Sequence, residues 1–222
     1  RSNLKIFGEK ILLADINNSL YLANKTNGKK VKIIPTEEIL IKNDFVNSLS
    51  FDKDSLFYLN TYGSLYSIDI NGKIKWFINL NQSLDTNPSN LFYSNPIIHH
   101  RGKLIISTNL YLYVINSDTG STMSKISIST TIKPVISGEN LFLITNDNLL
   151  VCINLETGEI IYSIDINQNI SEFLNTKEKS LNIKALTIVN NDLYLFLNNS
   201  YFVKFIPTGK IKSIVKLSSP PQ

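Results

Sequence analysis

The chain has 222 residues, 43% of them hydrophobic and 18% charged, with a formal net charge of +4. That length and apolar content suffice for a globular core, and no apolar run reaches the roughly 18 residues of a membrane span. The lysines scatter over turns and strand faces, with Lys29, Lys30 and Lys32 the densest group. This is not the basic stripe with interleaved aromatics that nucleic acid requires, so no nucleic-acid partner is expected.

From the amino end, the sequence opens on Leu4–Ile6, a turn at Gly8–Lys10, the apolar stretch Ile11–Ala14, a polar turn at Asn17-Asn18, then Leu20–Ala23 and a turn at Gly28. The second half of that pattern returns as Ser64–Ile68 with Gly72, Tyr111–Asn116 with Gly120, and Tyr201–Ile206 with Gly209. Its fullest copy runs Lys133–Ile136, Ser137–Asn140, Leu141–Thr145, Asn146–Asn148, Leu149–Asn154, Gly158, then Glu159–Ile164. The stretches between turns are rich in β-branched and aromatic residues and end in Gly, Asn and Asp, which is how strands are bounded. Gly8 and Gly28 are as far apart as Gly138 and Gly158, which argues for true repetition.

Each unit therefore reads as four antiparallel strands, and repetition at this period marks a propeller or an array. The expected fold is all-β: a β-propeller of four-stranded blades at about 2–35, 46–80, 94–128, 133–166 and 184–217. A four-stranded sheet this short cannot bury both faces alone, and radial stacking solves that problem. We expect residues 1–222 to form one propeller domain, a fragment of a seven- or eight-bladed whole. Asn27-Gly28 and Asn71-Gly72 read as two-residue type I′ turns, and the Thr-Gly copies as longer hairpins with a left-handed glycine. Helical periodicity is confined to Thr36–Ile41 and Ser171–Glu178.

The glycine turns carry a family resemblance. A strand ending in an Asp-x-x-Thr-Gly-like turn, with Trp four residues after the glycine, resembles the PQQ-like (quinoprotein-type) repeat. Gly72 to Trp76 keeps it, Gly158 to Tyr162 substitutes Tyr, and Lys32, Ser124 and Ser213 stand there elsewhere. The proline before the first strand in Ser94-Asn95-Pro96 and Ile132-Lys133-Pro134 is similar to the family's blade opening. Within the family the chain looks most like the non-enzymatic propellers related to BamB. That resemblance implies a periplasmic scaffold, lipid-anchored to the outer membrane through a segment not in this sequence. Its partners would be the barrel-assembly machinery or outer-membrane clients, with no cofactor. The alternatives are a fragment of a PQQ-dependent dehydrogenase and a luminal or periplasmic sensor domain.

Residues that could carry chemistry read as structure. Family dehydrogenases have a vicinal disulfide and a calcium cluster; here Cys152 is the single cysteine and no acidic cluster has calcium spacing. Cys152 lies between Val151 and Ile153 and is expected to be a small buried hydrophobe. Asp118-Thr119-Gly120 spells an aspartic-protease signature, but its counterparts in other units fall at the same hairpin and two lack the acid. His99 and His100, the only histidines, point to opposite faces if extended and are expected to be exposed beside the turn Arg101–Lys103. The Asn-x-Ser/Thr triplets at Asn17, Asn24, Asn81, Asn169 and Asn198 are expected by chance in a chain this rich in asparagine. No enzyme activity and no metal site are expected.

Function is then expected in the long connections Pro35–Phe45, Asn81–Asn95 and Asn167–Ile183, which should emerge on the same side as the second hairpin of each blade. Long loops on a rigid sheet scaffold are usual binding elements. Leu91, Phe92 and Tyr93 in the second, and Phe173 and Leu174 in the third, are the candidate protein-interaction anchors, with Leu84 beside them.

Overall fold

The computed structural model describes residues 4–37, 46–81, 92–177 and 179–219. Five four-stranded antiparallel sheets follow one another, each with its strands in sequence order, as expected for propeller blades. Blade 1 is β1 (Lys5–Phe7), β2 (Lys10–Ala14), β3 (Leu20–Asn24) and β4 (Lys30–Ile34); blade 2 is β5 (Ser48–Phe51), β6 (Leu56–Leu59), β7 (Ser64–Ile68) and β8 (Ile74–Asn79). Blade 3 is β9 (Ile98–His100), β10 (Lys103–Ser107), β11 (Leu112–Asn116) and β12 (Thr122–Ile126). Blade 4 is β13 (Val135–Ser137), β14 (Asn140–Ile144), β15 (Leu149–Asn154) and β16 (Ile160–Asp165). A helix, α1 (Ile166–Leu174), precedes blade 5: β17 (Ile183–Val189), β18 (Asp192–Leu197), β19 (Tyr201–Phe205) and β20 (Ile211–Lys216).

The chain divides into two compact units, Arg1–Thr108 with Leu112–Ile126, and Asn109–Tyr111 with Ser127–Gln222. In the first, Leu12, Leu20, Leu22 and Ile34 of blade 1 pack with Leu49, Leu56, Tyr58 and Ile68 of blade 2. In the second, Phe142, Leu150 and Cys152 pack with Leu193, Leu195, Val203 and Phe205, joined by Ile166 and Ile170 of α1. Middle strands such as β7 and β10 are buried throughout, whereas the outermost strands β4 and β12 are largely exposed. A strand inside a stack of sheets is covered on both faces, so it reads as a continuous apolar run.

The glycine turns differ from the type I′ reading. Gly28, Gly72, Gly120, Gly158 and Gly209 all have positive φ, but neither Asn27 nor Asn71 does. In blades 2 and 5 the turn is a three-residue loop, with Gly72 N–H donating to Asp69 O and Gly209 N–H to Ile206 O. In blades 1, 3 and 4 the loop is one residue longer, with Gly28, Gly120 and Gly158 bonded back to Asn24, Asn116 and Asn154. The opening Asn or Asp fixes four of these loops: Asn24 Oδ1 accepts from Thr26 N–H, and Asp69 Oδ1 from Asn71 and Lys73 N–H. Asn116 and Asn154 do the same. The third and fourth strands of every blade shift register beside this turn, the bulge that a left-handed glycine installs. Positive φ at both central residues occurs instead at Arg101-Gly102 and Asn190-Asn191, between the first two strands of blades 3 and 5.

Those turns are also where neighbouring blades lock. In blades 1, 2 and 4 the residue four after the glycine, on the outermost strand, reaches the glycine turn of the next blade. Trp76 Nε1 donates to Ser117 O at 3.1 Å, and Tyr162 Oη to Pro207 O at 2.7 Å. Lys32 Nζ donates to Asn71 O and Gly72 O, both at 3.2 Å. The Trp76 ring lies so close over Gly120 that a Cβ there would fall 2.7 Å from its Cε3. Glycine is needed there twice over, for this approach and for its φ of 75°.

Candidate functional site

The connections between blades meet the turn joining the second and third strands, the middle of a blade's three turns; the glycine turns lie at the other end. After blade 1, Thr36 Oγ1 donates to Asn18 O at 2.8 Å, and Tyr58 Oη donates to the same carbonyl at 2.8 Å. Asn18 holds φ at 65° to present it. Ser64 Oγ donates to the Glu37 carboxylate, and Glu37 N–H donates to Tyr66 Oη. Thr36 and Glu37 are not helical, and the rest of the Thr36–Ile41 segment lies outside the described residues.

In the second connection, Leu91 and Leu84 lie outside the described residues. Phe92 is half-buried; its N–H donates to Thr61 O at 2.8 Å, and its ring sits 2.9 Å from where a Cβ on Gly63 would be. Phe92 thus plugs the middle turn of blade 2 and helps to position its neighbour. Tyr93 is 40% exposed.

In the third connection the helix begins earlier than the sequence suggested, over Ile166–Leu174 in place of Ser171–Glu178. Asp165 sets the start, its carboxylate accepting from Gln168 N–H at 3.1 Å. Asn175, in the left-handed conformation, ends it. Ile166 and Ile170 turn into the core, so Phe173 and Leu174 are left 50% and 49% exposed. Asn148 fixes the segment to blade 4, its Nδ2 donating to Leu181 O at 3.0 Å. Asn167 Oδ1 accepts from Leu181 N–H at 3.2 Å.

Between α1 and blade 5 lies a cleft of about 410 Å³, lined by Ile170, Leu174, Leu181, Leu197, Val203 and Ile214 among others. Lys177 and Lys179 stand at its mouth with Thr176, Asn199 and Tyr201. Sequence reasoning named Leu174 and missed the cleft. Its walls come from α1, β18, β19, β20 and the segment after the helix, and the early start of α1 brings Ile170, Ser171 and Leu174 into that lining.

The other singled-out residues are accounted for. His99 is not exposed: its side chain is only 15% accessible and stacks on Phe57 at 5.6 Å, with Nε2 3.7 Å from Asp52 Oδ2. A stacked neighbouring blade explains the difference, because the ring turns into the seam between blades 2 and 3. Cys152 is buried, and desolvation pushes its thiol up to about 11. Asp118 N–H is tied to Asn116 Oδ1 within a surface turn. Among the described residues no group of three or more His, Cys, Asp or Glu could hold a metal ion, and no helix is long and apolar enough to cross a membrane.

Five four-stranded sheets with glycine-turn clasps define a PQQ-like repeat protein of the β-propeller class. Residues 8–164 match the family of the outer membrane protein assembly factor BamB, and the chain belongs to that family. No curated protein matches the sequence. Among solved structures, BamB from Moraxella catarrhalis superposes with a TM-score of 0.74 at 14% identity, over 98% of this chain and 64% of that one. Quinohemoprotein alcohol dehydrogenase from Comamonas testosteroni gives 0.69 at 10% identity, over 99% and 43%. The Cps50 (Swd1) β-propeller domain of Myceliophteria thermophila gives 0.62 at 12% identity, over 96% and 70%. The chain thus spans less than two thirds of the first two, and at these identities the likeness is one of fold.

Proposed function

We propose that this chain is part of a non-enzymatic β-propeller scaffold that binds another protein through the connections between its blades. The observation that carries this reading is the pairing of exposed apolar side chains with a fixed backbone. Tyr93, Phe173 and Leu174 stand 40–50% exposed on segments anchored by the bonds of Phe92, Asn148, Asp165 and Asn167. Aromatic anchors on pre-ordered segments bind at little conformational cost. Family membership supports placing the partner in outer-membrane β-barrel assembly, as the machinery itself or a client, and the scaffold in the periplasm. The test is an affinity pull-down of the full-length protein from a cross-linked envelope extract, read by mass spectrometry. Barrel-assembly components should be recovered with the native protein and lost with Tyr93→Ala/Phe173→Ala. Capture of none of them would refute the reading.

A further inference from the structure

The cleft between α1 and blade 5 has the chemistry of a peptide receptor. Its floor is aliphatic, from Ile170, Leu181, Leu197, Val203 and Ile214. Concave, mostly apolar sites of a few hundred Å³ with a few polar groups at the rim are the usual form of a ligand pocket. The described part of the rim is cationic. Lys177 and Lys179 line the mouth. Lys216 joins them by register: it pairs with Tyr201, which lines the cleft, and shares a face with Ile214 two residues before it. No acidic side chain occurs among the described lining residues.

The third feature is backbone. β20 ends its sheet, so one side of the strand carrying Ile214 offers a row of N–H and C=O groups that have no strand partner among the described residues. Such an edge pairs with an extended chain, and alternate side chains of the added strand then reach the same face. An acyl chain could fill the apolar floor but could not use the edge. The edge therefore selects a peptide, and the lysines select its charge.

We propose that this cleft receives an extended segment of a partner protein in which apolar and acidic residues alternate. Its backbone adds to β20, an apolar side chain enters the cleft, and its carboxylates meet Lys177, Lys179 and Lys216. The assignment rests on the scaffold reading above and names the chemistry of the partner.

The test uses fluorescence anisotropy on the full chain with three probes: a labelled six-residue peptide alternating leucine and glutamate, its leucine–lysine counterpart, and laurate as competitor. The acidic peptide should bind saturably and at least tenfold more tightly than the basic one. Lys177→Glu/Lys179→Glu should reverse that preference, and both lysines are surface groups whose exchange leaves the core intact. Leu174→Arg, at a half-exposed position, should abolish binding of the acidic peptide. Equal affinity for the two peptides, or displacement by laurate with unchanged affinity in the double variant, would overturn the proposal, the latter pointing to a lipid. Envelope partners still captured by Leu174→Arg would overturn the cleft while leaving the connection-based scaffold standing.

Discussion

Trp76 is the chain's single tryptophan, and it sits where blades 2 and 3 lock. Its ring covers Gly120, its N–H holds Ser117 O, and it lies 6.2 Å from the Phe57 ring. Gly120→Ala would place a Cβ against that ring at a φ that L residues avoid, costing about 2–4 kcal/mol in urea unfolding. In a Trp76→Ala background the same substitution should cost only the backbone part, about 1–2 kcal/mol, and that difference measures the clasp. Cys152 gives a second test at this scale. Burial raises its thiol to about 11, above its value in the unfolded chain. The contribution is complete below the unfolded pKa and is lost as pH rises through the folded one. Stability should therefore fall between about pH 9 and 11, and Cys152→Ala should flatten that part of the profile. The clasp was half legible in the sequence. The spacing from Gly72 to Trp76 could be seen, but not that its target is the following turn, because that contact crosses 41 residues.

At the level of elements, strands were easier to read than turns or helices. Every blade alternates apolar stretches with Gly, Asn and Asp, and strand existence follows from that pattern alone. The turn type did not, since Asn-Gly fits a type I′ hairpin and also the end of a longer loop. Tertiary packing of Gly72 against Lys32 and Ile34 accompanies the second choice. Helix α1 was misplaced although Ile166, Ile170, Phe173 and Leu174 recur at helical spacing, because its start is set by one cap, Asp165, which also closes β16. Asp165→Ala should cost about 1 kcal/mol. Hydrogen exchange should speed up in the α1 amides before those of β18 and β19, since only the helix loses its cap. If exchange rose equally in both, α1 and blade 5 would be one cooperative unit.

For the whole molecule, the architecture was legible and the site was not. Repeats announce a propeller because the same local rules recur, whereas a binding cleft is assembled once from segments far apart in sequence. Of the anchors named from sequence, Phe92 serves the fold, and Tyr93, Phe173 and Leu174 are 40–50% exposed. The solved dehydrogenase shares the fold, and fold alone does not assign chemistry. Adding PQQ with calcium to the full-length protein discriminates the two readings. A scaffold should leave Trp76 fluorescence and melting temperature unchanged, and saturable quenching with a raised melting temperature would favour the enzyme.

The clasps all point one way. Lys32, Trp76 and Tyr162 each belong to the earlier blade and grip a turn made later in the chain. On the ribosome, each donor is already waiting on a finished sheet when its acceptor turn emerges. Within each unit the stack is thus able to grow vectorially, blades 2, 3 and 5 closing onto latches left by their predecessors. A chain released after blade 2 would still display the Trp76 latch, open and ready for the next sheet.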